Sequence, residues 1–145
     1  MRFTVEAVCI AAEKGVAKIE VAEIVLRAGH GVEGDAHAGP WHRQVSLLAG
    51  EAIDTMRAKG LALAPGAFGE NIVTRGVDWT QAHVGQAIVL GEAQLEITQI
   101  GKECHDRCAI YAAVGDCIMP RQGIFARVLK GGRIHAQDSG DYRLG

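Results

Sequence analysis

The sequence predicts a mainly β, single-domain protein, folded as a closed or nearly closed β-barrel with one or two short helices. Three observations favour this class. Short β-favouring runs are separated by turns rich in glycine, of which the chain has 19. Only two segments have a helical pattern, and no strand–helix–strand rhythm indicates a parallel sheet. The 145 residues form one domain, 1–145, because no repeat or linker divides them.

The individual elements follow from periodicity and from turn residues. Alternating apolar side chains predict the first strand and the hairpin that ends near Ile100, and Gly60 is a suitable end for the clearest helix. The segment from Asp138 to Gly145 is expected to be loose. The strands are predicted at 3–12, 18–28, 45–48, 68–74, 84–90, 93–100, 124–129 and 133–136, and the helices at 51–59 and 108–114.

Composition and charge exclude several classes of partner. The formal net charge is −2 and no block of like charge stands out, so neither nucleic acid nor an anionic membrane is favoured. The first residues lack the plan of a signal peptide, and no apolar run reaches the roughly 20 residues of a membrane helix. We therefore expect a cytoplasmic protein whose four cysteines are reduced thiols.

The stretch 101–108, Gly-Lys-Glu-Cys-His-Asp-Arg-Cys, places two thiols between a predicted strand and a predicted helix. Lys102 and other basic residues lie close to Cys104, and unpaired N–H groups at a helix start also favour a thiolate. The negative charges of Glu103 and Asp106 act in the opposite direction and disfavour the thiolate. Cys104 is the candidate reactive thiol and Cys108 is its rival, whereas Cys9 lies in an apolar run and is expected in the core.

The stretch 29–44 combines four glycines, a proline, three histidines and two acids, and is predicted to be a long loop. Loops of this length without secondary structure are uncommon and often functional. Asp35 and His37 could orient one another or a ligand. The alternative is a solvated surface loop.

Three further residues, Glu70, Asn71 and Arg127, carry competing interpretations. Glu70 and Asn71 precede an apolar run and are either edge polar groups or ligand contacts. Arg127, within an apolar strand, lies either on the barrel exterior or at an anionic ligand, where the guanidinium fork binds phosphate or other oxyanions. With His37 and Arg43 it would form a positive pocket beside a thiolate, which suits a soft transition metal carried on an anionic organic cofactor.

A structural zinc site is a further alternative, since Cys104, His105, Cys108 and Cys117 are suitable ligand types. The spacing argues against it, because adjacent residues such as Cys104 and His105 rarely bind one ion. A thioredoxin-like C-x-x-C, a phosphate-binding P-loop and a G-x-S-x-G nucleophile motif are absent from the sequence.

In their order along the chain, several motifs resemble those of the MOSC domain, named after the C-terminal domain of molybdenum cofactor sulfurase. The resemblance extends from about Val5 to Asp138 and is closest to short, stand-alone bacterial forms. The motifs are GVEGDAHAG at 31–39, HRQVSLL at 42–48, PGAFGEN at 65–71, GKEC at 101–104 and GIFARV at 123–128.

The resemblance implies a barrel similar to that of pyruvate kinase and binding of the molybdenum cofactor, with Cys104 as sulfur carrier or molybdenum ligand. Relatives often have C-x-x-C, whereas this chain has C-x3-C, so the role of Cys108 stays open. The pyridoxal-phosphate desulfurase domain of the eukaryotic sulfurase has no counterpart in this chain. Arg43, Arg127 and Lys102 would neutralise the cofactor's phosphate and oxo groups, and Asp35, His37, Glu70 and Asn71 would shape the pocket.

Two hypotheses follow from this resemblance. In the first, the protein handles sulfur during cofactor maturation, as a sulfur carrier or sulfurtransferase with a persulfide on Cys104. In the second, it is a non-catalytic carrier that holds or delivers the cofactor. A cysteine desulfurase or a molybdoenzyme would be the protein partner in either case. The residues themselves do not decide whether the chain is an enzyme.

Overall fold

The computed structural model describes residues 1–101 and 122–142, and these form strands, one α-helix and a short 3-10 helix. The α-helix α1 is Gly50–Arg57 and the 3-10 helix is Trp79–Gln81. The strands are β1 (Arg2–Ile10), β2 (Ile19–Val21), β3 (Glu23–Arg27), β4 (Gly31–Val32), β5 (Val45–Ala49), β6 (Ile72–Arg75), β7 (Ala87–Leu90), β8 (Ala93–Ile100), β9 (Ile124–Lys130), β10 (Gly132–His135) and β11 (Ser139–Tyr142).

Seven of these strands close into a barrel, as the sequence predicted. Their order is β11, β7, β8, β9, β5, β6 and β1, and β1 pairs again with β11. Closure leaves these seven strands without a free edge, which satisfies their backbone groups and prevents edge-to-edge association. Strand β2 extends the sheet beyond β1, while β10, β3 and β4 form a separate three-stranded sheet.

The helix α1 joins the one parallel pair among the described strands, β5 and β6. A parallel pair cannot be joined by a tight turn, so the chain needs a crossover, and α1 supplies it. Ile53 and Met56 pack on the core, and Glu51 and Arg57 lie near the helix ends where their charges complement the dipole. The helix predicted at 51–59 is confirmed, with its end two residues earlier. Within the described residues, no helix is long and apolar enough to cross a membrane.

The barrel interior is filled by alternating residues of each strand. In β8, Ala93, Leu95 and Ile97 are buried and Gln94 is exposed, which matches the predicted alternation. At one end the Trp79 ring meets the Phe3 and Tyr142 rings edge to face, with centroids 5.5 and 5.3 Å apart. Such pairs contribute beyond the area that they bury.

The expectation of a loose C-terminal segment is wrong for Ser139–Tyr142. These residues form β11, which pairs with β1 on one side and β7 on the other and thereby closes the barrel. The segment is short and polar in composition, so no local pattern marks it as a strand, and its partners are distant in sequence. The predicted strand at 18–28 is divided into β2 and β3, and the helix predicted at 108–114 lies outside the described residues.

Barrel closure at β11 leads to the first prediction. A Cβ added at Gly140 would lie 2.3 Å from Cζ of the buried Phe3 ring and 2.8 Å from Cδ2 of Leu90. Overpacking of this kind typically costs about 1–3 kcal/mol. We therefore expect Gly140→Ala to lower the free energy of unfolding by that amount in urea denaturation. Ser139→Ala, at the exposed start of the same strand, should change it by less than about 0.5 kcal/mol. Equal stability of G140A and wild type would contradict the prediction.

Candidate functional site

The loop 29–44 is anchored in the protein interior by Asp35. Its carboxylate accepts hydrogen bonds from Lys18 Nζ at 2.7 and 2.9 Å, from the Ala11 amide at 3.0 Å and from the His37 amide at 3.1 Å. The Lys18 and Asp35 side chains are 1% and 0% exposed, so this is a buried ion pair. Burial by itself would raise the pKa of Asp35, but the hydrogen bonds from Lys18 and Ala11 outweigh it, and the pKa lies below its usual 3.8.

His37 lies next to this pair and reaches the surface. Its Nδ1 is 3.0 Å from Lys18 Nζ and 3.9 Å from Asp35 Oδ2, and the side chain is 39% exposed. Asp35 therefore orients His37 through the backbone amide, and Lys18 contacts its ring. Asp35 is therefore an interior group, whereas His37 is partly exposed to solvent.

Arg43 is held between two aromatic rings. Its guanidinium carbon lies 4.6 Å from the Trp41 ring centroid and 5.6 Å from that of Phe125. These are cation–π distances, and the rings restrict the side chain to one region. Trp41 is itself fixed, because its Nε1 donates to the His37 carbonyl oxygen at 2.7 Å. The Arg43 Nε is buried and has no hydrogen-bond partner among residues 1–101 and 122–142.

An orphaned buried donor of this kind is rare in folded proteins and costs about 1–3 kcal/mol. An acceptor for this Nε–H group from outside the described residues would therefore be favourable. Lys14 Nζ, 5.9 Å from the Trp41 ring centroid, adds a second positive charge to the same surface.

The loop 29–44 also contacts the end of β8, close to Gly101, where the thiol stretch 101–108 begins. His42 Nε2 is 2.8 Å from Gln99 Oε1, and the Thr98 hydroxyl donates a short hydrogen bond to the His42 carbonyl oxygen. Gln99 Nε2 in turn donates to the Gly101 carbonyl oxygen at 2.8 Å. The amide of Gly101 donates to the Gly123 carbonyl oxygen at 2.6 Å, so both ends of the intervening segment meet here.

Lys102 and Cys104, and with them the rival Cys108 and the proposed zinc ligands, lie outside the described residues. The roles assigned to these residues therefore stay predictions. The described part of the chain contains no group of three or more His, Cys, Asp or Glu side chains that could hold a metal ion.

Glu70 is an interior carboxylate. It is 0% exposed, and its two oxygens accept hydrogen bonds from the Gly66 amide at 2.8 Å and the Phe68 amide at 3.0 Å. It thereby caps the turn that precedes β6. Burial raises the pKa of Glu70, against the effect of these amides.

Asn71 connects three strands of the barrel. Its Oδ1 accepts from the Ser46 amide at 3.0 Å and from the Ser46 hydroxyl at 3.2 Å, and its Nδ2 donates to the Cys9 carbonyl oxygen at 3.1 Å. Residues of β5, β1 and the start of β6 are therefore tied by one side chain. The polar groups of Asn71, like those of Glu70, are directed at the protein's own backbone.

The turn capped by Glu70 supports the loop anchor directly. The Lys18 amide donates to the Gly66 carbonyl oxygen at 2.9 Å. Gly66 has a positive φ of 92°, and a Cβ at this position would lie 2.2 Å from the Lys18 carbonyl oxygen, so only glycine allows this approach. The two sequence motifs at 31–39 and 65–71 are thus joined through Lys18.

Arg127 lies on the outer face of β9. Its Nη2 forms an ion pair with Glu96 Oε1 at 2.7 Å, directly across the β8–β9 pair, and its side chain is 52% exposed. Phe125, which contacts Arg43, projects from the same face two residues earlier, because side chains in a strand alternate. This position corresponds to the barrel-exterior interpretation and also borders the Arg43 surface.

Sequence reasoning missed Lys18 and Trp41 as parts of this site. Lys18 stands at the start of a predicted strand, where a lysine is ordinarily solvated, and nothing local indicates the buried Asp35 as its partner. Trp41 did carry a signal, since an aromatic residue in a glycine-rich polar loop beside His42 and Arg43 is unusual. The core position of Cys9 is confirmed: the residue is 0% exposed and its burial raises the pKa of the thiol to about 12.

Comparison with known proteins adds a family and a set of similar folds. A family model described as the MOSC domain matches residues 33–139. A search of curated proteins found no match. The YuaD protein of Bacillus subtilis superimposes with a TM-score of 0.80 at 20% identity, over 97% of this chain and 94% of that one.

Two solved YiiM structures are also similar in fold. YiiM from Geobacillus stearothermophilus has a TM-score of 0.72 at 18% identity, over 98% of this chain and 75% of its own. YiiM from Escherichia coli has a TM-score of 0.67 at 22% identity, over 100% of this chain and 71% of its own. At these identities the superpositions show a shared fold.

The buried ion pair gives the second prediction. Removing one partner leaves the other as an unpaired charge in the interior, which typically costs about 3–5 kcal/mol. We therefore expect Lys18→Met and Asp35→Asn each to lower the free energy of unfolding at pH 7 by about that amount in urea titrations. Lys130→Met, at an exposed position, should change it by less than about 0.5 kcal/mol. Loss of less than about 1 kcal/mol in both interior variants would contradict the buried-pair assignment.

The pKa of Asp35 gives a third prediction, on pH dependence. A carboxyl group whose pKa is lower in the folded than in the unfolded protein stabilises the fold above its unfolded value of 3.8, and the contribution is lost as the pH falls through the folded value. The difference in unfolding free energy between wild type and Asp35→Asn should therefore be largest near neutral pH and narrow in acid. Urea titrations at a series of pH values measure it, and a gap that stays constant or widens in acid would contradict it.

Proposed function

Because the chain belongs to the MOSC domain family, we propose that it binds molybdenum cofactor at the surface formed by the loop 29–44 and the segment after β8. In this proposal Cys104 handles sulfur during cofactor maturation, as a persulfide carrier or as a ligand of molybdenum. The observation that supports the proposal is the buried Nε of Arg43, which has no partner in the described part of the chain. The guanidinium lies between two aromatic rings, and the neighbouring His42 contacts Gln99 near the start of the thiol stretch.

The described residues fit an anionic, ring-containing group. Arg43 offers a positive charge and an unused donor, Lys14 adds a second charge, and His37 adds an imidazole edge. Guanidinium groups bind phosphate and other oxyanions through charge-assisted hydrogen bonds. When bound, the cofactor would supply a thiophilic metal centre bearing oxo groups. Arg43, Lys102 and Arg127 would neutralise the anionic groups, with Arg127 first releasing Glu96.

The chain length limits how far Cys104 can lie from the described part of this surface. Cys104 is three residues beyond Gly101, and three residues of extended chain span at most about 11 Å. Gly101 is connected through Gln99 to His42, the neighbour of Arg43. The backbone of residue 104 would therefore lie within about 11 Å of Gly101.

Sulfur handling needs a thiolate and a donor. The thiolate of Cys104 would attack the outer sulfur of a persulfide on a cysteine desulfurase, forming a Cys104 persulfide and releasing the donor's thiolate. One S–S bond forms and one breaks, so no external oxidant or reductant is required. Cys9 cannot substitute for Cys104, because it is buried and its pKa is raised to about 12. The predicted cytoplasmic location is compatible with a reduced thiol of this kind.

A second candidate function is a non-catalytic carrier of the cofactor. It is favoured by the described residues, since the guanidinium of Arg43 and the imidazole of His37 would bind an anion whether or not a thiol takes part. The carrier would keep most of its cofactor affinity without Cys104 and would not acquire sulfur.

The fourth prediction separates the two functions. Wild type, Cys104→Ser and Cys117→Ser are incubated with a cysteine desulfurase and cysteine, and mass spectrometry measures the sulfur adduct. We expect an adduct of one sulfur atom on wild type and on C117S, and none on C104S. An adduct that persists on C104S would exclude Cys104 as the carrier, and no adduct on wild type would favour the non-catalytic carrier.

Cofactor affinity is measured in parallel by titrating the extracted cofactor and following tryptophan fluorescence. Arg43→Gln removes one charge-assisted contact, worth about 1.5–3 kcal/mol, so the Kd should rise about ten- to a hundredfold. Arg133→Gln is the matched control, since Arg133 is an exposed arginine in an ion pair with Glu23. Equal affinities for R43Q and R133Q would contradict the role of Arg43, and no binding by wild type would overturn the proposed function.

A further inference from the structure

The two ends of the loop 29–44 meet at one residue of the barrel, Val128 in β9. The Gly29 amide donates to the Val128 carbonyl oxygen at 2.9 Å, and the Val128 amide donates to Oε1 of Gln44, also at 2.9 Å. Gln44 is 3% exposed, so its side chain belongs to the interior. The backbone groups of a single strand residue therefore close the base of the loop.

The register of the barrel shows what the Gln44 side chain replaces. Strands β5 and β9 are antiparallel, and Val45 lies opposite Ala126. Continued by two residues beyond Val45, this pairing would place Arg43 opposite Val128 and its backbone in the ladder. The Val128 amide is bonded to the Gln44 side chain instead, and β5 begins only at Val45.

We propose that Gln44 is a positioning residue for Arg43. By taking the place of the Arg43 backbone at Val128, its side chain lets the chain leave the sheet at Arg43 and still holds it against β9. The guanidinium then lies between the rings of Trp41 and Phe125, 4.6 and 5.6 Å from their centroids. That this guanidinium meets an anion rests on the cofactor binding proposed above, whereas its placement by Gln44 rests on the contacts of the folded chain.

The backbone is fixed on both sides of Arg43. The carbonyl oxygen of the preceding residue, His42, accepts a short hydrogen bond from the Thr98 hydroxyl of β8. The carbonyl oxygen of the following residue, Gln44, would lie 2.6 Å from a Cβ added at Gly31, whose φ is 116°, so only glycine allows this approach. A guanidinium held in place before a ligand arrives loses less conformational entropy on binding, and its contact contributes more to affinity.

The test follows the Nε–H signal of Arg43 in ¹H–¹⁵N spectra of the ¹⁵N-labelled protein at mildly acidic pH, identified by its loss in Arg43→Gln. Because this group is buried, we expect its proton in wild type to exchange with water more slowly than that of the exposed Arg133. Gln44→Met keeps the length of the side chain but removes the acceptor. It should make the Arg43 proton exchange about tenfold faster and shift the signal toward that of an exposed arginine.

Thr74→Val is the matched control. The Thr74 hydroxyl oxygen is likewise the acceptor of a buried donor, Nε1 of Trp79 at 3.0 Å, and Thr74 lies beside Ala49 at the other end of β5. This variant also loses one buried hydrogen bond, so it should lower the urea midpoint as Gln44→Met does but leave the Arg43 signal unchanged. A merely structural role for Gln44 would lower the midpoint in both variants and change the signal in neither.

Two results overturn the placement of Arg43 by Gln44. One is a folded Gln44→Met protein with an unchanged Arg43 signal, and the other is an Arg43 proton in wild type that exchanges as fast as that of Arg133. If Gln44→Met does not fold, Gln44→Asn takes its place with the same expected results. Asparagine keeps the amide but is one carbon atom too short to reach Val128.

Cofactor affinity tests the consequence for binding. Gln44→Met should raise the Kd by about three- to tenfold, less than the loss of the guanidinium itself in Arg43→Gln. Because Gln44 acts through Arg43, Gln44→Met should add no further loss in an Arg43→Gln protein, whereas independent effects would multiply. Equal affinity of Q44M and wild type, or effects that multiply, would overturn this consequence. If wild type binds no cofactor, the proposed function fails, whereas the NMR result still decides whether Gln44 positions Arg43.

Discussion

The buried ion pair between Lys18 and Asp35 is the constraint on which the candidate site depends. A glycine-rich loop such as 29–44 has few backbone pairings of its own, and in this protein its regular structure is limited to the two residues of β4. The Asp35 carboxylate connects the loop to the end of β1 through Ala11 and to the approach of β2 through Lys18. Desolvating two charges is costly, and a buried pair of this kind is weak evidence for stability. We infer that its role is to fix one conformation of the loop.

The rest of the site is organised outward from that pair. The Lys18 amide donates a hydrogen bond to the turn that Glu70 caps, and Asn71 joins the neighbouring strands. On the solvent side of the pair, His37 is partly exposed. Its carbonyl oxygen accepts a hydrogen bond from Trp41 Nε1, and the Arg43 guanidinium lies over the Trp41 ring. The motif residues therefore divide into buried supports and surface groups. Mutations in the first set should act through stability and geometry, and those in the second set directly on ligand binding.

The sequence was sufficient for the barrel, for most of its strands and for the core position of Cys9, because these follow from alternation and from composition. It was insufficient for β11, whose short polar segment becomes a strand only because β1 and β7 offer partners. The site shows the same division. The sequence pattern marked Asp35, His37, Arg43, Glu70 and Asn71, but it could not show that Asp35, Glu70 and Asn71 are directed inward. Lys18 and Ser46, the partners of Asp35 and Asn71, are brought near them only by the fold.

We propose that the thiol at position 104 and the basic groups beside Trp41, those of Arg43 and Lys14, share one anion-attracting surface. This central claim is tested most directly with a Cys108→Ser, Cys117→Ser protein, in which Cys104 and the buried Cys9 remain. Its reaction rates with a dianionic aromatic disulfide and with a neutral one are compared at low and high salt. We expect the anionic reagent to react faster at low salt, and added salt or Arg43→Gln to remove this preference while Arg133→Gln leaves it. A ratio of the anionic to the neutral reagent's rate that neither salt nor R43Q changes would contradict a shared surface.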